Sequence, residues 1–585
     1  MENLQNNAEK LGSTQRLLSN AAYWRLYVPK LVTVLREGYS LTKFRADAIA
    51  GLTVAIVALP LAMALAIASG TTPDRGLYTA IVAGFLISAL GGSRFQIGGP
   101  TGAFVVVVYN VIASHGYDGL VIATLIAGLI LIAAGFAKLG TWIKYIPYPV
   151  VTGFTAGIAV IIFTSQVGDI LGLKLATSPA GFVEKWIAYG GALGTIEPAT
   201  FAVAMASLAL ILALRRWRPN APVFLAAAVF GAVIVWLLKL PVTTIGDRFG
   251  ELPTALPAPS LPEGVTFDRI RQLLPSAFTI AFLAGIESLL SAVVADGMTG
   301  RRHRSNCELV AQGVANCASA IMGGIPATGA IARTATNIRA GAYSPISGMM
   351  HAVFLLVFIV FLGRVASYVP LASLGAILVV VAWNMAELKS FRHLMAAPHE
   401  DRTVLLTTFV LTVLVDLTVA IEVGVVLAAI FFMHRMANVV EISTQKKLIE
   451  EDEDDFTRAR ITYGPAQLPD GVEVFQINGP FFFGAAARLG DELDQMRSPP
   501  KVFILRMGKV PFIDASGVAA LEKFIAGAVA RGTRVILCGV QPDVREVIEK
   551  LGLTTGPRAV AVAKNFEKAL AMARDLTGAT APAKA

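Results

Sequence analysis

The sequence predicts a polytopic α-helical membrane protein with a smaller α/β domain at its C-terminal end. Three observations predict it. The chain of 585 residues is 55% hydrophobic and only 15% charged, where soluble domains carry ~25% charged residues. Several apolar runs approach or reach the ~20 residues that cross a hydrocarbon core, among them Ala48 to Ser69, Leu120 to Ala137, Ala199 to Leu214 and Met349 to Leu362. Past Ser443 the composition turns soluble, and short β-rich runs alternate with amphipathic ones.

Met1 to Asn20 is polar and has no apolar core, so the first span rather than a cleaved leader is expected to direct insertion. Apolar runs separated by loops give about fourteen spans up to Asn438. They start near Ala48, Gly76, Gly99, Gly119, Pro147, Pro198, Pro222, Pro275, Glu308, Gly329, Pro345, Pro370, Thr403 and Leu417. Basic residues collect on one side: Lys138 and Lys144, Arg215 to Arg218, Arg301 to Arg304, Arg339, then Lys389 to Arg402. The positive-inside rule then puts residues 1–46 in the cytoplasm, and an even span count returns the C-terminus there, in a cell membrane. The net charge of +9 thus orients the chain and does not call for nucleic acid. Cys307, Cys317 and Cys538 form no framework, the histidines lack metal-ligand spacing, and no nucleophile–base pair stands out. No metal, cofactor or enzymatic activity is expected.

An internal repeat is the most informative feature. Gly98-Gly99-Pro100-Thr101-Gly102-Ala103 recurs as Gly323-Gly324-Ile325-Pro326-Ala327-Thr328-Gly329-Ala330, each before a short apolar segment. Pro149-Val150-Val151-Thr152-Gly153 is echoed by Pro370-Leu371-Ala372-Ser373-Leu374-Gly375. Seven spans per half is odd, so the halves have opposite topology, and interrupted helices in an inverted repeat point to a midplane site. Gly and Pro there would end an extended stretch and start a helix inside the membrane. Two such N-termini facing one cavity attract an anion through free N–H groups and dipole ends. The expected donors are the N–H groups of Thr101, Gly102, Ala103 and Phe104, and of Ala330, Ile331 and Ala332. The hydroxyls of Thr101 and Thr328 either add donors or cap the helices, and for Thr328 the cap is preferred. Ordinary kinks or close-packing spots are the bland alternative.

Charges at membrane depth are few. Glu287 lies well inside the eighth span, and a carboxylate there is costly when charged and alone, so it is expected to take up a proton. Ser291 lies four residues on, on the same face, so the pair could hold a proton or a hydrated sodium ion. Arg333, one turn into the tenth span, is placed at the anion site, with an ion pair to Glu287 as the alternative. Asp296, Asp416 and Glu422 read as interfacial and structural.

At these motifs the chain resembles the sulfate permease (SulP, solute carrier 26) family. The resemblance runs from about Phe44 to Asp575. It rests on Ala50-Gly51-Leu52-Thr53-Val54-Ala55 with Pro60, Gly76-Leu77-Tyr78, Pro149 to Phe154, Asn306 to Gly313 and Ala332-Arg333-Thr334-Ala335-Thr336-Asn337. It implies two inverted sets of seven spans forming core and gate domains, and a homodimer with an elevator-like step. It also implies substrate between the first, third, eighth and tenth spans. Glu287 matches the family's eighth-span carboxylate, linked to proton coupling, and Arg333 its tenth-span arginine. Leu61 stands where many members have Gln, as in bacterial members that carry bicarbonate, which often lack the arginine.

The expected organisation is an N-terminal segment (1–46), a membrane domain (47–438), an acidic linker with the start of the soluble region (439–468), an α/β domain (469–577) and a disordered tail (578–585). Val472 to Ile477, Val502 to Leu505 and Val535 to Gly539 read as strands, and Ala485 to Met496, Ser516 to Ala530 and Pro542 to Leu551 as helices. Val510 to Gly517 resembles the signature loop of STAS domains, and Ser516 matches the serine phosphorylated in anti-sigma-factor antagonists. A simple helix cap by Asp514 and Ser516 is preferred. The sequence therefore predicts a secondary active carrier of a small inorganic anion, sulfate or bicarbonate, driven by protons. A sodium-coupled bicarbonate symporter, a passive exchanger or channel, and a non-transporting sensor are the alternatives.

Overall fold

A computed structural model describes residues 26–141, 147–175, 179, 181–218, 221–415, 417–439, 441–444, 449–450, 462–463, 468–482, 499–554 and 560–578. The chain forms two compact units, Met1–Val426 and Leu427–Ala585. Asp416, the predicted helix Ala485 to Met496 and most of the acidic linker lie outside the described residues.

The first unit is helical. In chain order its elements are α1 (Lys30–Arg36), α2 (Leu41–Ala68), α3 (Pro73–Leu90), β1 (Gly98–Gly99), α4 (Val105–Phe136), α5 (Tyr148–Leu171), α6 (Phe182–Ala192), α7 (Pro198–Trp217), α8 (Val223–Leu238), α9 (Ile245–Phe249), α10 (Phe267–Thr299) and α11 (Ser305–Ile321). β2 (Thr328–Gly329), α12 (Ile331–Arg339), α13 (Ile346–Ala366), α14 (Leu371–Met385), α15 (Leu388–Met395), α16 (His399–Leu414) and α17 (Leu417–Val439) follow. Among the described residues eight helices are long and apolar enough to span a membrane, fewer than the spans read from hydropathy. The physical reasons are local. Gly102–Phe136 holds two predicted spans, broken at Gly116, whose φ of 71° suits a residue without a Cβ. The tenth predicted span is the short α12, and α11 carries Asn306, Glu308, Gln312 and Asn316 along its length.

The helices pack in two groups. α2, α3, α4, α10, α11 and α13 pack mainly on one another, and α5, α7, α14 and α16 do the same. Both copies of the second repeat motif start helices: Pro149 sits in the first turn of α5, and Pro370 is the residue before α14. α5 and α14 pack together. Two buried carboxylates hold the first group. Asp47 of α2 accepts from Tyr343 N (2.6 Å), Ser344 N (3.0 Å) and the Tyr39 hydroxyl (2.6 Å), so it fastens the loop that leads into α13 from across the fold. Glu308 of α11 accepts from Gly92 N (2.8 Å), Ser93 N (3.1 Å) and Gln312 Nε2 (3.0 Å). Both carboxylates are fully buried and multiply bonded, as buried charge requires.

The second unit carries a five-stranded sheet of order β3-β6-β7-β8-β9, with β4 (Ile449–Glu450) and β5 (Thr462–Tyr463) as a separate pair. Strands β6 (Val472–Asn478), β7 (Val502–Arg506), β8 (Arg534–Cys538) and β9 (Ala561–Ala563) are parallel, and β3 (Glu441–Thr444) is an antiparallel edge. β7 is buried along its whole length, as a central parallel strand covered on both faces should be. The covering helices are α18 (Ala515–Ala530), α19 (Pro542–Lys550) and α20 (Phe566–Thr577). The predicted strands and helices that fall on described residues form, each within a residue or two.

Candidate functional site

The two copies of the Gly-rich motif meet. β1 and β2 form a two-stranded antiparallel pair, Gly98 opposite Gly329 and Gly99 opposite Thr328. The antiparallel register means the two segments leave the pair in opposite senses, one into a 3₁₀ turn at Gly102–Phe104 that continues as α4, the other into α12. The first turn of a helix has N–H groups without intrahelical partners. Two of the expected donors are already used: Ala330 N donates to Ile97 O (2.8 Å), and Phe104 N to Thr101 O (3.3 Å). Gly102 and Ala103 on one side, and Ile331 and Ala332 on the other, remain as helix-start N–H groups.

Thr101 precedes the 3₁₀ turn but does not cap it; its hydroxyl donates to Glu287 Oε2 at 2.9 Å. The eighth-span carboxylate is therefore tied to the start of the first half-helix. The preferred cap by Thr328 does not form. Its hydroxyl donates to Ala284 O (3.0 Å) and lies 2.7 Å from Ser288 Oγ, while Ser288 Oγ accepts from Gly329 N (3.0 Å). Residue 330, not 328, is the N-cap position of α12, so Thr328 faces α10 instead. This relay fastens β2 to α10. Ser291 is fully buried and donates to Thr334 Oγ1 at 3.0 Å, an atom that also accepts from Ile97 N at 3.1 Å. Ser291 thus serves the joint between α10, α12 and β1.

Arg333 is 3% exposed. Its Nη2 donates to Pro100 O at 2.6 Å, inside the first repeat motif. The ion pair with Glu287 considered as an alternative does not form; the two side chains bind the same loop, at Pro100 and Thr101, through separate atoms. Leu61 follows Pro60 inside α2 and lies in the buried apolar cluster that contains Ala103 and Phe104. Asp296 accepts from His303 N (3.0 Å) and pairs with His303 Nδ1 (2.7 Å). Glu308 and Asp47 are structural residues the sequence reading passed over; the signal available was a carboxylate inside or at the edge of an apolar run.

The glycines of the crossing are there for space. A Cβ at Gly99 would stand 2.5 Å from Arg333 Nη1, and one at Gly329 would overlap the Gln96 amide. A Cβ at Gly102 meets Met385 Sδ at 2.5 Å and Ile162 Cδ1 at 3.0 Å, and the thioether can swing aside. Gly329→Val is therefore expected to cut anion uptake by about tenfold or more, on the ~1–3 kcal/mol scale of an overpacked site, and Gly102→Val by less. Uptake per inserted molecule in vesicles measures both, and full activity in both variants would sink the half-helix site.

In the second unit, Asp514 is the N-cap of α18 and accepts from Gly517 N at 2.6 Å. Ser516 is exposed in the first turn and takes no part in the cap.

Opposed half-helix starts in a helical membrane unit, followed by an α/β unit with a mainly parallel sheet, define a polytopic anion transporter with a soluble C-terminal domain. The chain matches the sulfate permease family over residues 44–408 and a STAS domain over 465–569. It is 42% identical over 521 residues to the putative sulfate transporter YvdB of Bacillus subtilis (strain 168), covering 88% of this chain and 95% of that one. It is 32% identical to the bicarbonate transporter BicA of Picosynechococcus sp., over 87% and 91% of the two chains. The structure of murine solute carrier 26 family member A9 in the inward-facing state superposes with a TM-score of 0.81 at 18% identity, over 94% of each chain, a likeness of fold. The chain belongs to the sulfate permease family.

Proposed function

We propose that the protein is a secondary active symporter that brings a small oxyanion into the cell together with a proton. The observation that carries this reading is the 2.9 Å bond from Thr101 to Glu287. It joins the residue that opens the first half-helix to a membrane-depth carboxylate, so the protonation of one bears directly on the geometry of the other. The anion is held by helix-start N–H groups of Gly102, Ala103, Ile331 and Ala332, which suit an oxyanion without a basic side chain in contact. Arg333 adds a full positive charge beside the crossing. A divalent oxyanion such as sulfate gains more from that charge than a monovalent one, and YvdB carries the sulfate name. Bicarbonate is the second reading, supported by Leu61 and by the similarity to BicA.

Proton coupling is preferred to sodium because Ser291, the expected second sodium ligand, bonds to Thr334 while Glu287 bonds to Thr101, so the two expected ligands are drawn to different partners. The two-group packing of the helices suits an elevator-like step of one group against the other, in a homodimer with both termini in the cytoplasm. Ser516, exposed at a helix start, is placed where a phosphate would be favoured. The test is anion uptake into vesicles of purified protein, with sulfate and bicarbonate compared, with and without an inward proton gradient. Gradient-driven accumulation of sulfate supports the reading. Equilibration without accumulation would make the protein a passive carrier, and no flux at all a sensor.

A further inference from the structure

Arg333 and Asn337 lie one turn apart on α12; Ser347 and His351 lie one turn apart on α13. Asn337 Nδ2 donates to Ser347 Oγ at 2.8 Å and to Phe95 O at 2.9 Å. The bond to Ser347 fastens the start of α13 to α12, one turn from Arg333 on α12 and one turn from His351 on α13. Contacts with α3 place the two side chains. A Cβ at Gly99 would meet Arg333 Nη1 at 2.5 Å and the Cα of Ala80 at 3.5 Å. A Cβ at Gly84, one turn on from Ala80, would meet His351 Cε1 at 3.8 Å and Gly98 O at 3.0 Å. Guanidinium and imidazole therefore approach the same dipeptide, Gly98-Gly99, on the side of the crossing that faces α3. Both are fully or almost fully buried, yet among the described residues Arg333 Nη1 and both ring nitrogens of His351 have no hydrogen-bonding partner. Buried polar atoms in native proteins are paired with protein or with ordered water, and a buried water needs two to four polar partners. Arg333 Nη1, an imidazole nitrogen and the Gly98 carbonyl supply that number and the right mix of donor and acceptors.

We propose that Arg333 and His351 clasp an ordered water behind the half-helix crossing, and that His351 is a positioning residue which holds the Arg333 guanidinium against Pro100. The inference rests on the reading of Arg333 as part of the anion site. With Nη2 on Pro100 O and Nη1 on the water, both ends of the guanidinium are fixed, so its charge stays beside the helix starts. Without the imidazole the side chain has one anchor and the loop carrying Thr101 loses a brace.

The test is a cycle of four proteins: the native chain, His351→Leu, Arg333→Ala and the double variant, read as the half-saturating anion concentration in vesicles. His351→Leu is expected to raise it about fivefold, the scale of one lost hydrogen bond, and to add nothing in the Arg333→Ala background. His351→Gln, which keeps a polar group at that place, should return to within about twofold of native. Equal effects of His351→Leu in both backgrounds, or no effect where Arg333→Ala weakens binding, would overturn the positioning role. If Arg333→Ala leaves affinity unchanged, the anion-site reading of Arg333 fails and the functional half of the inference with it. Melting temperatures of the four proteins then judge the clasp itself: non-additive shifts support it and additive shifts overturn it. Should His351→Leu fail to insert, His351→Asn, too short to reach the water, takes its place.

Discussion

Glu287→Gln is expected to bind anion and to lose proton-driven accumulation altogether. Gln has the shape of the protonated acid and cannot release a proton. Thr101 can still donate to its amide oxygen, as it donates to Glu287 Oε2 at 2.9 Å, so the half-helix start should hold its place. A carboxylate in an apolar helix is costly when charged and unpaired, and among the described residues no cation faces Glu287 within ion-pair distance. One step of the cycle should therefore carry it protonated. An anion entering with a proton moves less net negative charge than the anion alone, and an inward proton gradient drives it. Uptake by the native protein should rise as external pH falls, and Glu287→Gln should flatten that dependence while equilibrium anion binding persists. Exchanging sodium for potassium at fixed pH should change nothing. Strict sodium dependence would overturn the proton assignment and favour bicarbonate as substrate. A gradient-driven Glu287→Gln would show that the carboxylate is structural.

Arg333→Ala should raise the half-saturating anion concentration about ten- to a hundredfold, the equivalent of ~1.5–3 kcal/mol for removing one buried positive charge that stands beside the bound anion without touching it. Insertion should be retained, because β1 and β2 still pair and Ser288 and Thr328 still fasten β2 to α10. The effect should be larger for sulfate than for bicarbonate, since the interaction of one buried positive charge scales with the charge it meets. Equal losses for both anions would point to the Pro100 contact, a matter of loop geometry, rather than to charge. Unchanged affinity would remove Arg333 from the site. Arg333→Ala acts on binding and Glu287→Gln on coupling, so the pair also tests whether the two functions are separable although their side chains hold adjacent residues of one loop.

The sequence by itself determined the class of the molecule, because hydropathy and periodicity are local. Apolar runs, the change of composition past Ser443, and the Pro and Gly that start and stop helices are each written within a few residues. The repeat around Gly98 and Gly323 was legible for the same reason: two short motifs resemble each other wherever they lie. Asp514 as a cap was legible too, since a cap and its helix are neighbours in sequence. The tertiary structure alone decided which atoms the site residues meet. Thr101 finds Glu287 across 186 residues and Arg333 finds Pro100 across 233. Thr328 turns to Ala284 and Ser288 rather than to its own helix, because the β1–β2 pairing moves the N-cap position to Ala330 and presents residue 328 to α10. Ser291 shares a helix face with Glu287, yet Thr334 claims its hydroxyl. Side chains buried in a membrane unit must find partners among whatever the fold brings near, and which partner is near depends on how distant segments pair, which no local pattern encodes.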